Sequence, residues 1–133
     1  PNGEAGVVAI FSKKMLKNDE VKIFGSGECI RDYIYVDDIA EANLKAMKDD
    51  SNQIYNIGTS KGTSVNELFA ILSEITSYKK DAIYEPPRPG DLEKSILNCE
   101  KAKTNLNWNS TVELKDGLKK TVEFFENELE TTE

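Results

Sequence analysis

Seventeen side chains of this sequence are lysine or arginine, and only two of them, Arg31 and Arg88, are arginines. A chain that meets ordinary surface-charge needs with lysine has reason to keep a flat, bidentate guanidinium where phosphate or carboxylate must be gripped. Arg31 follows a Gly25-Ser26-Gly27 turn, and Arg88 lies within Pro86-Pro87-Arg88-Pro89-Gly90-Asp91. Asp91 either pairs with Arg88 or accepts hydrogen bonds from the hydroxyls of a sugar, and a carboxylate beside an arginine suits a ribose and its phosphate. Composition alone leaves the alternative of two unrelated surface ion pairs open.

Other chemistries are excluded more firmly. The sequence has no histidine, which removes Ser-His and Cys-His nucleophile pairs, imidazole metal ligation and a histidine base together. None of Tyr33, Tyr35, Tyr55, Tyr78 and Tyr84 is followed four residues later by lysine, so the Tyr-x-x-x-Lys general base is missing and no catalytic residue is assigned. Gly3-x-x-Gly6-x-x-Ala9 imitates a dinucleotide fingerprint, but no strand precedes it. Gly25-x-Gly27 lacks a third glycine and reads as a turn. Cys29 and Cys99 are too few for a disulfide framework or a four-cysteine zinc site, so no metal is expected and both read as small fillers. Asp37-Asp38 and Asp49-Asp50 read as a helix start and a solvated helix end.

The net charge of −7 argues against nucleic acid and anionic membrane as partners, since both need a basic face. No window stays apolar for the ~18 residues of a membrane span, and a cytoplasmic, reducing location is expected. At 133 residues the chain fits one domain, 1–133, able to bury roughly 65–70% of its unfolded surface. Pro1 at the start fits either a piece of a longer chain or methionine removed before a small residue.

These residues need elements to hold them. Apolar spacing predicts a helix over Gly6–Lys17, and Val21–Phe24 reads as a strand running into the glycine turn. Asp32–Val36 is aromatic and β-branched, a second strand. Asp37 or Asp38 then caps a helix to about Lys48, with Val36, Ile39, Ala40, Leu44 and Met47 as its apolar stripe. Gln53–Ile57 reads as a third strand. Ser64-x-x-Glu67 is a capping box opening a helix that buries Leu68, Ile71, Leu72 and Ile75. An extended piece, Ala82–Glu85, meets the stiff proline loop. Asn98 is the expected N-cap of a helix through Leu106, with Trp108 as a plug behind it. A last helix starts between Ser110 and Leu114 and aligns Leu114, Leu118, Val122, Phe125 and Leu129. The fold class is therefore α/β, small mixed helices and short strands, too poor in strand for a complete doubly wound sheet.

The run IFGSGECIRDYIYVDDIAEA (23–42) resembles a segment of nucleotide-sugar epimerases and dehydratases. YNIGTSKGTSVNELFAIL (55–72) is similar to their following glycine turn and helix, and PPRPGDLEKSILNCEKAKTNLNW (86–108) to their R-x-G-D loop and its continuation. With the Gly-Leu-x-x-Thr-Val-x-Phe-Phe helix at 117–125, nearly the whole chain resembles the UDP-glucose 4-epimerases of the extended short-chain dehydrogenase/reductase family.

That resemblance implies a C-terminal substrate-binding subdomain, without the Rossmann domain that holds NAD, the catalytic Tyr-x-x-x-Lys and its Ser/Thr partner. It implies that Lys22, Ile23 and Phe24 border a nucleobase, that Arg31 and Arg88 hold a diphosphate, and that Asp91 binds ribose hydroxyls. The whole enzyme would be an NAD-dependent isomerase of UDP-hexoses, oxidising C4 and reducing the 4-keto sugar on its other face. It would be a homodimer, while this piece alone would bind no cofactor, lack activity and self-associate. A dehydratase or decarboxylase sister and a non-catalytic nucleotide-binding module are the rival readings. Three positions depart from the family pattern: its usual glutamine is Cys29, the polar residue before the arginine is Ile30, and the glycine before the tryptophan is Asn107.

Overall fold

The computed structural model describes residues 6–131. Their order is α1 (Val7–Leu16), β1 (Lys22–Phe24), β2 (Ile30–Arg31), α2 (Val36–Ala46), β3 (Thr63–Ser64), α3 (Val65–Thr76), β4 (Ile83–Glu85), β5 (Lys94–Ser95), α4 (Glu100–Leu106) and α5 (Leu114–Thr131). The result is α/β as expected, helices joined by very short strands. Strand β1 pairs in parallel with β4, while β2 is central in a second sheet, antiparallel to β3 and parallel to β5. Among the described residues no helix is long and apolar enough to cross a membrane. Gly3 of the glycine decoy lies outside the described residues.

The main core forms where α1, α3 and α5 meet β1: Phe11, Met15, Ile23, Leu68, Leu72, Leu118 and Val122 are buried together. Helix α3 carries the capping box, with the Glu67 N–H donating to Ser64 Oγ at 3.1 Å and the Ser64 N–H donating to Glu67 Oε2 at 2.7 Å. Its expected face points inward, Leu68 and Leu72 fully buried and Ile71 and Ile75 packed at the margin. Helix α5 begins at Leu114 and buries Leu118 and Val122 as its spacing requires. A second core gathers Ala42, Cys99, Ala102, Leu106 and Trp108.

Four local expectations are corrected. Residues 32–35 form no strand; the pairing lies one step earlier, at Ile30–Arg31. The Asp32 carboxylate accepts from the Thr59, Ser60 and Leu97 N–H groups instead, pinning three loops. Gln53–Ile57 also pairs with nothing among the described residues, although Tyr55 and Ile57 pack on the second core. Neither Asp37 nor Asp38 caps α2, whose N-cap is Tyr35 without a side-chain bond. Asp38 is buried, and its carboxylate receives the Thr111 N–H and hydroxyl at 3.0 and 2.8 Å and the Val112 N–H at 3.1 Å. Its carbonyl takes the Trp108 indole N–H at 3.0 Å, which locks the plug to α2. The α2 stripe is correspondingly outside: Leu44 is 61% exposed and Met47 82%. For α4, Asn98 Oδ1 accepts the Glu100 N–H at 3.0 Å, so it does a cap's work one residue before the assigned N-cap, Cys99.

Candidate functional site

The edge strand β1 supplies one wall of a cavity of about 410 Å³ that Lys22, Ile23, Phe24, Arg31, Arg88 and Asp91 all line. All six residues singled out in the sequence therefore meet at one place. Residues not anticipated complete it: Val7, Ile10, Phe11 and Lys14 from α1, with Cys29, Tyr33 and Val65. The α1 contribution had one sequence signal, an apolar face at the helix start, indistinguishable from a core stripe.

Register decides what β1 offers. Ile83 donates its N–H to the Val21 carbonyl and Gly25 donates to the Glu85 carbonyl, both at 2.9 Å. Parallel pairing uses alternate residues of a strand, so Val21, Ile23 and Gly25 face β4. The N–H and C=O groups of Lys22 and Phe24 point the other way, along a free edge. The Lys22 side chain bonds Glu85 Oε1 at 2.8 Å, and this hydrogen bond, followed by the charge attraction, holds its ammonium above the usual lysine range.

Turn geometry then aims the first arginine. Gly27 sits at φ +76°, and a Cβ there would fall 2.0 Å from Asn66 Oδ1, so only glycine fits between β1 and the start of α3. Arg31 is half-buried, and its Nη1 donates to the Ile30 and Leu92 carbonyls at 2.9 and 2.7 Å. Arg88 is placed otherwise. Its guanidinium carbon lies 4.0 Å from the centre of the Phe24 ring, with Phe24 37% exposed. No ion pair joins Asp91 to Arg88 among the described residues, and Asp91 is exposed. Near Arg31 the Tyr33 hydroxyl is buried without a partner, and burial pushes its pKa up.

This arrangement can hold a flat ring, an anion of two or more oxygens and a pair of hydroxyls. The residues present do not fit NAD, because the glycine turn after β1 opens on β2 instead of a helix N-terminus.

The model of the NAD dependent epimerase/dehydratase family matches residues 1–58. A solved UDP-glucose 4-epimerase of Thermotoga maritima, with UDP-glucose, superposes with a TM-score of 0.94 at 56% identity, covering 97% of this chain and 42% of that one. The chain is similar to NAD-dependent epimerases and dehydratases over nearly its whole length. Another epimerase/dehydratase relative, the UDP-glucose 4-epimerase of Mycolicibacterium smegmatis, is 42% identical over 128 residues, 96% of this chain and 41% of its own length. The Thermus thermophilus UDP-glucose 4-epimerase, solved with NAD, gives a TM-score of 0.79 at 39% identity, over 95% of this chain and 42% of that chain. The chain thus spans about two fifths of the length of these relatives.

Of the three departures from the family's pattern, Cys29 lines the cavity while Ile30 lies in β2. Asn107 sits at φ +49° and ψ +48° as the C-cap of α4, a left-handed conformation that asparagine tolerates in place of glycine.

Proposed function

We propose that this chain is the substrate-binding half of a nucleotide-sugar epimerase and that its cavity holds the nucleotide of a UDP-sugar. The observation that carries the reading is the meeting of both arginines of a −7 chain with Phe24, Asp91 and the free edge of β1 around one cavity. A diphosphate takes the guanidiniums, ribose hydroxyls take Asp91, and the base lies against β1. A backbone edge presenting both N–H and C=O complements uracil, whose ring N–H donates beside carbonyls that accept. Cytosine reverses that donor at N3 and fits it poorly.

Epimerisation itself, with NAD as the hydride carrier for C4, belongs to a dinucleotide-binding domain docked on this half. The apolar α2 stripe and the unpaired extended segment 53–57 form a face suited to such a domain. Anchoring the nucleotide while leaving the hexose free to turn uses remote binding energy without freezing the reacting ring. Calorimetric titration of the intact protein tests the reading: UDP binds, and CDP binds about ten-fold more weakly for the loss of one or two hydrogen bonds. Equal affinity for the two would refute the assignment of β1 to the base, and no binding of either would refute the reading. The 133-residue chain alone is expected to show no turnover of UDP-galactose with added NAD.

A further inference from the structure

Arg31 and Arg88 line the same cavity in different states of commitment. Arg31 is fixed by two carbonyls. The Arg88 guanidinium has no hydrogen bond to any described residue, and its central carbon lies over the Phe24 ring, 4.0 Å from the centroid. The loop beneath it is stiff before Arg88, with Pro87 Cβ 3.4 Å from where a Gly25 Cβ would stand, and open after it, with nothing within 4 Å of a Cβ at Gly90, φ +86°. The ring under Arg88 belongs to a residue 37% exposed on the edge strand where a base would lie.

We propose that Phe24 is a positioning residue that holds Arg88 away from the phosphate site until a base takes its place. The inference rests on the nucleotide reading above. A base that stacks on Phe24 displaces the guanidinium, whose N–H groups are then free to turn to the diphosphate. Base and phosphate recognition are coupled through one side chain, so a phosphate ligand without a base must dislodge Arg88 unaided. Inorganic pyrophosphate and UDP therefore respond in opposite directions to loss of the ring.

Calorimetry on the intact protein decides it. Phe24→Leu should bind pyrophosphate about two- to five-fold more tightly, the worth of an exposed cation–π contact. The same variant should bind UDP about ten-fold more weakly for want of a stacking partner. Phe24→Trp keeps a ring and should restore both affinities to within about two-fold of the unaltered protein, an outcome that a general loss of packing would not give. Should Phe24→Leu fold poorly, the guanidinium NMR signal of Arg88, assigned with Arg88→Lys, carries the test. It should be ring-shifted in the free protein and lose that shift when UDP is added. Weakening of both ligands in Phe24→Leu, an unchanged pyrophosphate affinity, or an Arg88 signal that UDP leaves ring-shifted would each overturn the proposal while UDP binding stands. Absence of UDP binding by the unaltered protein would overturn the nucleotide reading and this coupling with it.

Discussion

Two carbonyls hold Arg31 and one ring holds Arg88, so the two arginines should fail differently when changed. Replacing either by alanine in the intact protein is expected to weaken UDP binding by about 2–4 kcal/mol, the range for charge-assisted bonds to a diphosphate in a partly dry cleft. Arg31→Lys should recover little, because an ammonium cannot donate to Ile30 and Leu92 and still present a fork. Calorimetry with UDP reads both, and unchanged affinity in the two alanine variants would remove the arginine argument. Asp38 holds the backbone of Thr111 and Val112 instead of capping α2. Burial opposes its charge, but the Val112 N–H and the Thr111 hydroxyl and N–H outweigh burial and hold its pKa below the ordinary value. The stabilisation is therefore complete above the unfolded carboxylate's pKa of about 3.9 and disappears as the pH falls through the lowered folded value. Asp38→Ala removes the acceptor of three part-buried bonds, from the Thr111 N–H and hydroxyl and the Val112 N–H, and should cost about 1–2 kcal/mol in urea unfolding at pH 7. That difference should shrink on acidification below about pH 4, and a pH-independent difference would contradict the role.

At the scale of elements, what could be read from the sequence was whatever is settled locally. The Ser64–Glu67 box needs only residues three apart, and the box is present; Ser64→Ala is expected to lower thermal stability by about 1 kcal/mol. Helices α3 and α5 follow their periodicity because they bury one face each. Strands were the weak part. Residues 32–36 and 53–57 have strand composition, but a strand exists only where a partner supplies its hydrogen bonds. Conversely β3 and β5, two residues each, exist because Ile30–Arg31 lies between them, a pairing of distant segments with no local sign. The site shows the same division. Arginine scarcity and the R-x-G-D loop pointed to residues that do share a cavity. Arg88 on Phe24 joins positions 64 apart by number and had no local signal. The left-handed Asn107 gives a check on backbone shape. Asn107→Gly should hold or raise stability, whereas Asn107→Val should lower it by about 1–2 kcal/mol, as denaturant melts would show.

For the molecule as a whole, the uncovered face of α2 is the feature with the largest consequence. Val36, Leu44 and Met47 are 64%, 61% and 82% exposed, and Ile54, on the unpaired extended segment, is 86% exposed. Single exposed apolar side chains are ordinary, but a stripe of them on one helix beside backbone without ladder bonds offers both parts of an association surface. Below it the helix is firmly seated, since Asp38 and Ala42 are buried and Trp108 is tied to the Asp38 carbonyl. The stripe therefore cannot turn inward to relieve itself. Expressed alone, the 133-residue chain should associate as its concentration rises, with light scattering giving a mass above 14.9 kDa. Leu44→Glu combined with Met47→Glu should raise the concentration for half-association at least about ten-fold, since a charged pair in the contact adds more than 1.4 kcal/mol of desolvation. Both substitutions lie at exposed positions and leave the second core intact, so the double variant should melt within about 0.5 kcal/mol of the unaltered chain. A chain that stays monomeric, or one whose association ignores those two glutamates, would place the interacting surface elsewhere and leave the α2 stripe without the docking role assigned to it.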